Sequence, residues 1–335
     1  MPVTICAVTD LDAMTAHDKT TPDILVFGGG AEHWTSVIGE CLPACNVFSS
    51  PTRKQLSGDY DNVRCLVGRN FPDPLLERLP ALEWIQNLSV GIDNLIRHPL
   101  IPKHVRITNT GGLYGDAIAE YVLWAMLTLS RRFHVVMQNQ QKRHWQQVFG
   151  GELAGRTVGI VGVGDIGGKV ARHAQHMRMC TLGFVRDEKA ADSFEHIDEA
   201  VPISRLEERV GELDVIVLSL SLSASTAGLI NRSVLDAMKK SAILINVARG
   251  ELIDGPAVAD ALATGRLAGA ALDVFDKEPL SRWNPLWKTP NLLLSPHASS
   301  LTGNYKTRVA DLLRENMLRF AAHRPLLNEI DRRRV

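Results

Sequence analysis

Short apolar runs recur along this chain, separated by stretches whose apolar positions fall at helical spacing. In the first hundred or so residues the runs are Asp23 to Phe27, Asn46 to Phe48, Val63 to Val67, Trp84 to Leu88 and Val105 to Thr108. Each is too short and too rich in β-branched residues to stand as a helix, and Gly or Pro closes most of them. The alternation predicts strands joined by crossover helices, which is the pattern of a parallel α/β sheet. Thr4 to Val8 precedes this rhythm and reads as either an extra edge strand or a loosely fixed arm.

A long helix is expected over Asp116 to Gln138, bridging two domains, with Asp116 as N-cap and Ala119, Val122, Leu123, Met126 and Leu127 at helical spacing. From Val158 the strand rhythm restarts: Val158 to Val161, Thr181 to Val185, Asp214 to Ser219, Ile243 to Val247, Gly269 to Asp273 and Asn291 to Ser295. That set suits a complete doubly wound nucleotide domain. Arg308 to Ala322 reads as a closing helix, and a chain end returning to the first domain makes that domain discontinuous. The expected division is residues 1–108 with 300–335 for a substrate-binding domain, and 109–299 for a dinucleotide-binding one.

Gly162, Gly164 and Gly167 stand between the Val158 to Val161 strand and a helix-like stretch. In that setting the first glycine allows a tight turn, the second lets backbone approach a pyrophosphate, and the third lets helix and strand pack closely. The helix N-terminus adds N–H groups aimed at the anion. The same spacing elsewhere would be weak evidence, since glycine also serves ordinary turns.

Composition narrows the partners. The chain has 335 residues and 45% hydrophobic content, enough for two cores. Lys plus Arg and Asp plus Glu number 37 each, so no overall field favours nucleic acid or an anionic membrane. The basic tail Asp331 to Arg334 reads as a solvated chain end. Five cysteines without CxxC spacing suit a reduced, cytoplasmic setting, and Cys41 and Cys45 read as packed thiols rather than half of a metal site. No metal is expected. The N-terminus lacks an export pattern, and the apolar stretch around Tyr121 to Leu129 is too short to span a bilayer.

Arg249, Glu278 and His297 lie at or just beyond the ends of successive expected strands, where parallel folds bind ligands. Singly, His297 could cap a helix or sit in a core, Glu278-Pro279 could be a solvated turn, and Arg249-Gly250 a helix entry. Taken with the glycine loop, the blocks GVGDIG, INVARG, DVFDKEP and SPHASS, in this order, resemble the D-isomer-specific 2-hydroxyacid dehydrogenases from about Trp84 to the closing helix. The resemblance implies an α/β protein of two doubly wound parallel-sheet domains, a flavodoxin-like substrate domain and a Rossmann nucleotide domain, closing over a cleft.

It also implies roles. His297 would pass a proton to or from the substrate oxygen, since imidazole titrates near neutrality. Glu278 would bond its other ring nitrogen, as a carboxylate orients histidine in hydrolytic triads. Arg249 would grip the substrate carboxylate with two prongs and polarise the carbonyl. The loop Ser89 to Asn94 matches the family's carboxylate-binding loop, with the N–H groups of Val90 and Gly91 facing the substrate. Asn109 to Gly112 resembles the domain crossover, with Gly111 where Pro is common and a looser hinge as the consequence. Asp165 and Ile166 map to the pyrophosphate, Leu220 to the end of a strand, and Val247, Ala248 and Asp273 to the nicotinamide, with Asp273 bonding the carboxamide. Ser221 departs from the family's usual Pro, which leaves the local loop shape open.

An acidic residue about 20 positions beyond the glycine loop would select NAD. Val185 stands there, followed by Arg186, which favours NADP through a charge-assisted contact. NAD remains the alternative if Asp187 does that work. The SVGIDN loop and Arg186 look like the glyoxylate/hydroxypyruvate reductase branch, so a reductase of small 2-oxo acids, giving D-2-hydroxy acids, is expected. Alternatives are a bulkier substrate such as phenylpyruvate or a sugar acid, and a nicotinamide-sensing, corepressor-like protein; an L-hydroxyacid oxidoreductase is disfavoured because its glycine motif would lie near the N-terminus. Pocket size depends on Leu113, Tyr114, Trp145, Trp283 and Tyr305. A homodimer is expected, with His144-Trp145 in the segment that reaches the partner in related reductases.

Overall fold

A computed structural model describes residues 22–332 except 57 and 187–193. Thr4 to Val8 and Asp187, to which the sequence reading gave roles, lie outside the described residues. The chain divides into two compact units, one made of residues up to Gly111 together with those from Asn304, the other spanning Gly112–Gly303.

The first unit holds five parallel strands, β1 (Asp23–Phe27), β2 (Val47–Ser50), β3 (Val63–Gly68), β4 (Trp84–Asn87) and β5 (Arg106–Thr108), in the order β2-β1-β3-β4-β5. Its helices are α1 (Ala31–Cys41), the short α2 (Asp73–Leu76) and α3 (Asp93–Ile96), and the closing helix, Tyr305–Ala321. Strands β1, β3, β4 and β5 are buried nearly throughout, while the edge strand β2 is mostly half-buried or exposed, and Leu25, Leu66, Leu75, Ile85 and Ile107 lie in one continuous core. The closing helix is keyed to β4 by polar as well as apolar contacts. Asn316, fully buried, donates to Gln86 Oε1 at 2.9 Å and accepts from the Leu327 N–H at 2.7 Å. Trp84 stacks on Phe320 at 5.0 Å between centroids and donates its indole N–H to Thr108 at 2.9 Å.

The basic tail differs from expectation at Arg332. Its guanidinium donates to the carbonyls of Ile96, Ile101, Pro102 and Val105, so this cation is docked instead of solvated. A planar group with five donors can satisfy several carbonyls at a loop at once.

The second unit contains α4 (Gly115–Ser130), α5 (Phe133–Gln141), β6 (Thr157–Val161), α6 (Asp165–His176), β7 (Cys180–Val185), β8 (Glu199–Pro202), α7 (Leu206–Arg209), β9 (Val215–Leu218), α8 (Arg232–Ala237), β10 (Ile243–Asn246), α9 (Gly255–Ala263), β11 (Gly269–Leu272) and β12 (Leu292–Leu294). The closing helix of the first unit is then α10. Seven parallel strands lie in the order β12-β11-β10-β9-β6-β7-β8. The β6, β7 side and the β9, β10, β11 side diverge from β6, so the glycine loop after β6 sits at the switch point of the sheet.

Two elements differ from the pattern reading. Strand β8 went unrecognised because it is only four residues long, half-exposed and ends in Pro202, which an edge strand tolerates. The expected helix over Asp116 to Gln138 is two helices, broken at Arg131-Arg132, where Arg132 takes φ 52° and ends the hydrogen-bond ladder. It also lies within one unit instead of bridging two. Asp116 is not its N-cap. Tyr114 holds that position, and Asp116 sits in the first turn, paired with Lys169 at 3.4 Å and Arg172 at 3.2 Å.

Candidate active site

Strands β10, β11 and β12 are consecutive neighbours in the sheet and parallel, so the segments leaving their carboxyl ends emerge side by side. Those segments carry Arg249, Glu278 and His297. After β10, Asn246 pulls the chain into a tight turn: its Oδ1 accepts the Ala248 N–H at 3.0 Å and its Nδ2 donates to the Arg249 carbonyl at 2.8 Å. Gly250 is packed so closely against the Phe275-Asp276 backbone that a Cβ there would overlap it. The Arg249 turn and the loop bearing Glu278 are thus in direct contact.

His297 Nδ1 lies 2.9 Å from Glu278 Oε2, and the other carboxylate oxygen accepts the Phe275 N–H at 3.0 Å. Glu278 is therefore held from its own loop while it holds the imidazole. The His297 side chain keeps about half its surface exposed, so its second ring nitrogen is open to an incoming group. The backbone at His297 takes φ 53°, a conformation rare for residues with a side chain, and its N–H donates to the Asp273 carbonyl at 2.8 Å.

Asp273 also organises the neighbouring loop. Its side chain is fully buried and accepts from Ala298 N–H at 2.8 Å, Ser299 N–H at 3.0 Å and the Ser295 hydroxyl at 2.5 Å. These bonds draw the 295–299 loop around the carboxylate, so Asp273 holds the His297 loop in place. Ser295 spends its only proton on Asp273, so the Tyr121 hydroxyl, 2.7 Å away, donates to Ser295. Burial pushes the Tyr121 phenol up to about 12, which keeps it a donor. Tyr121 and Ser295 were missed by the sequence reading because Tyr121 is remote in the chain and looks like one more apolar helix residue.

The glycine loop fits a pyrophosphate. A Cβ on Gly162, at φ 94°, would lie 2.7 Å from Leu220 Cβ, and one on Gly167 would overlap the Gly162 carbonyl, so both must be Gly for loop and helix to close. Around Gly164, by contrast, nothing stands within 4 Å, which leaves room for phosphate oxygens beside the α6 N-terminus. Asp165 is exposed at the first position of α6, its carboxylate drawn to Lys169 at 2.9 Å and seated against Gly115. The half-buried Ile166 follows it. At the end of β7, Val185 is buried and Arg186 exposed. Val247 and Ala248, both buried, line the turn before Arg249.

In the first unit, the loop after β4 has its carbonyls tied back by two asparagines. Asn87 Nδ2 donates to Ser89 O at 3.0 Å and Gly91 O at 2.7 Å, and Asn109 Nδ2 donates to Val90 O at 2.8 Å. Among the described residues no acceptor pairs with the N–H groups of Val90 and Gly91. A carboxylate suits such a pair of donors. Among the described residues no cluster of His, Cys, Asp or Glu has metal-site geometry, and no helix is long and apolar enough to cross a membrane.

The NAD binding domain of the D-isomer specific 2-hydroxyacid dehydrogenases matches residues 123–299, more than half of the chain. The chain belongs to this family. It is 34% identical over 283 residues to a glyoxylate reductase of Aeropyrum pernix, covering 82% of this chain and 84% of that one. A hydroxyphenylpyruvate reductase of Plectranthus scutellarioides is 31% identical over 292 residues, 84% of this chain and 90% of its own. Among solved structures, a D-isomer specific 2-hydroxyacid dehydrogenase from Xanthobacter autotrophicus Py2, in complex with NADPH and MES, superposes with TM-score 0.81 at 29% identity over 94% of this chain and 99% of its own. The dehydrogenase is thus an NAD(P)-dependent oxidoreductase acting in 2-oxo acid reduction.

Proposed function

We infer that this dehydrogenase reduces small 2-oxo acids, glyoxylate and hydroxypyruvate foremost, to D-2-hydroxy acids and uses NADPH in preference to NADH. The observation that carries the reading is the His297–Glu278 pair at 2.9 Å, beside the Arg249 turn. A bound nicotinamide supplies the hydride. The rest of the chemistry belongs to the chain. Glu278 accepts from His297 Nδ1 and so directs Nε2 to the substrate oxygen, to which His297 gives its proton. Arg249 holds the carboxylate in a fork and draws electron density from the carbonyl. In the first unit, which we assign to substrate binding, the N–H pair of Val90 and Gly91 suits a carboxylate; the second unit is assigned to the cofactor.

NADPH preference rests on Arg186 and on the apolar Val185 where an acidic residue would repel a 2′-phosphate. The glyoxylate reductase relatives favour a small substrate, and the hydroxyphenylpyruvate reductase relative keeps a bulkier one in play. NADPH and NADH oxidation across a panel of 2-oxo acids tests all of this. A higher kcat/KM with NADH overturns the cofactor preference. No turnover with any acid, despite tight NADPH binding, turns the reading toward a nicotinamide sensor.

The oligomer is assigned as a homodimer. Phe133, Met137, Trp145 and Phe149 are all exposed, Trp145 at 99% and Phe149 at 84%, an apolar area that water would otherwise face. A second copy would cover it.

A further inference from the structure

Asp165 opens α6, the helix that follows the glycine loop. No side chain caps this helix, and among the described residues the N–H groups of Ile166 and Gly167 find no acceptor. With the open space around Gly164, they leave a place for the cofactor's pyrophosphate and its negative charges. The exposed Asp165 carboxylate adds another negative charge at the same helix end. The helix dipole favours any anion in the first turn, but two anions at one terminus repel each other. A bare Asp165 would therefore oppose the ligand that the glycines are shaped to admit.

Lys169 counters that repulsion. One turn further on, its side chain runs back toward the helix start and puts its ammonium 2.9 Å from the Asp165 carboxylate. Acid four residues before base is the favourable order on a helix. Asp116, in the first turn of α4, takes the same ammonium at 3.4 Å and Arg172 at 3.2 Å, so two carboxylates and two cations form one neutral group joining α4 to α6. Packing fixes this arrangement. A Cβ on Gly115 would overlap Asp165 Oδ2 and lie 2.7 Å from Lys169 Nζ, so glycine at that position is what lets acid and base close. Because Asp116 shares Lys169, the cancellation of Asp165 is partial.

We propose that Lys169 is a positioning residue for the cofactor, holding and neutralising Asp165 so that the glycine loop accepts the pyrophosphate, while the residual charge of Asp165 keeps the grip loose enough for spent cofactor to leave. The pair sets cofactor affinity from both sides and takes no part in proton transfer. Its role rests on the cofactor assignment of the second unit and on the pyrophosphate lying at Gly164.

Titration of NADPH, followed by its fluorescence, tests the pair without turnover. Lys169→Met keeps the aliphatic stem beside Gly115 and removes the charge, so Kd should rise about 10-fold or more, the size of one unit-charge interaction at a solvent-facing site. Asp165→Asn should lower Kd about 3-fold or more and slow NADP⁺ release in stopped flow. In Asp165→Asn/Lys169→Met the Kd should return to within about 3-fold of wild type, a recovery that mere damage to packing would not give. Lys169→Arg keeps the charge and should also stay within about 3-fold. In about 1 M salt, where the Debye length is about 3 Å, the gap between wild type and Lys169→Met should narrow. Equal Kd in wild type and Lys169→Met, a double variant as weak as Lys169→Met, or an Asp165→Asn protein that binds no tighter than wild type overturns the proposal. Gly164→Val separates the pair from the assignment beneath it, since a branched side chain in the pyrophosphate's place should weaken binding. If it does and the Lys169 variants bind as wild type, the pair alone has no role. If Gly164→Val binds as wild type, the pyrophosphate lies elsewhere and both fall.

Discussion

The Asp273 carboxylate accepts the backbone N–H of Ala298, the residue that follows His297, at 2.8 Å. Because the carboxylate is fully buried and also accepts from Ser295 and Ser299, one side chain on β11's carboxyl end sets the path of the loop leaving β12. Asp273→Asn keeps the shape but turns one acceptor into a donor facing an N–H. Unfolding free energy should fall by about 1–3 kcal/mol, and kcat should drop as the His297 loop loosens. Thermal or urea unfolding checks the first; an unchanged midpoint removes Asp273 as the organiser of this loop.

His297→Ala should lower kcat by about 10²–10⁴-fold and leave NADPH affinity nearly unchanged, since the imidazole is assigned to proton transfer. Glu278→Gln should fall between wild type and His297→Ala, because an amide oxygen still accepts from Nδ1 but is a weaker acceptor than a carboxylate and orients the ring less firmly. Steady-state kinetics with fluorescence titration of NADPH separates these effects. Full activity in His297→Ala would remove it from the mechanism.

Arg249→Lys should damage substrate use, lowering kcat/KM by about 10–100-fold, as one ammonium cannot reproduce a two-pronged grip on a carboxylate. Initial rates against a 2-oxo acid measure it. A kcat/KM within 2-fold of wild type would place the carboxylate elsewhere.

Trp145→Glu/Phe149→Glu should shift the dimer towards monomer, because two charges would have to be buried where apolar rings were to meet. Light scattering over a wide concentration range reports the mass. Wild-type protein with the mass of one chain throughout, or a double variant as dimeric as wild type, would refute this surface.

Thiol reactivity should follow burial. Burial pushes Cys45 up to about 11 and Cys65 well above the ordinary thiol range, whereas Cys180 is exposed. The thiolate is the reacting species, so raising a thiol's pKa leaves less of it near pH 8. Peptide mapping after brief alkylation at pH 8 should find Cys180 labelled well ahead of Cys45 and Cys65. The reverse order would contradict the burial of these side chains.

Most of the sheet was legible because fully buried strands are short and apolar throughout, as Val158 to Val161 and Ile243 to Asn246 are. Strand β8 escaped because an edge position removes that demand. The break at Arg131-Arg132 escaped because apolar spacing continues across it while one residue turns to positive φ, which no periodicity records. The motif around Asp273 does not show which groups of the chain Asp273 bonds. Its burial among Ser295, Ala298 and Ser299 depends on β11 lying beside β12.

The sequence alone determined the chemistry-bearing types and their order: a glycine loop between strand and helix, then Arg249, Glu278 and His297 at successive strand ends. Those are local matters of residue type and spacing, and a parallel fold turns them into a site at the carboxyl edge. Only tertiary structure decided which side chains spend their hydrogen bonds inside the protein. Asp273 and Arg332 did so, while among the described residues the N–H groups of Val90 and Gly91 found no acceptor. That division depends on neighbours remote in sequence, since a polar group's partners are set by packing, and packing is fixed only when the strands have chosen their order.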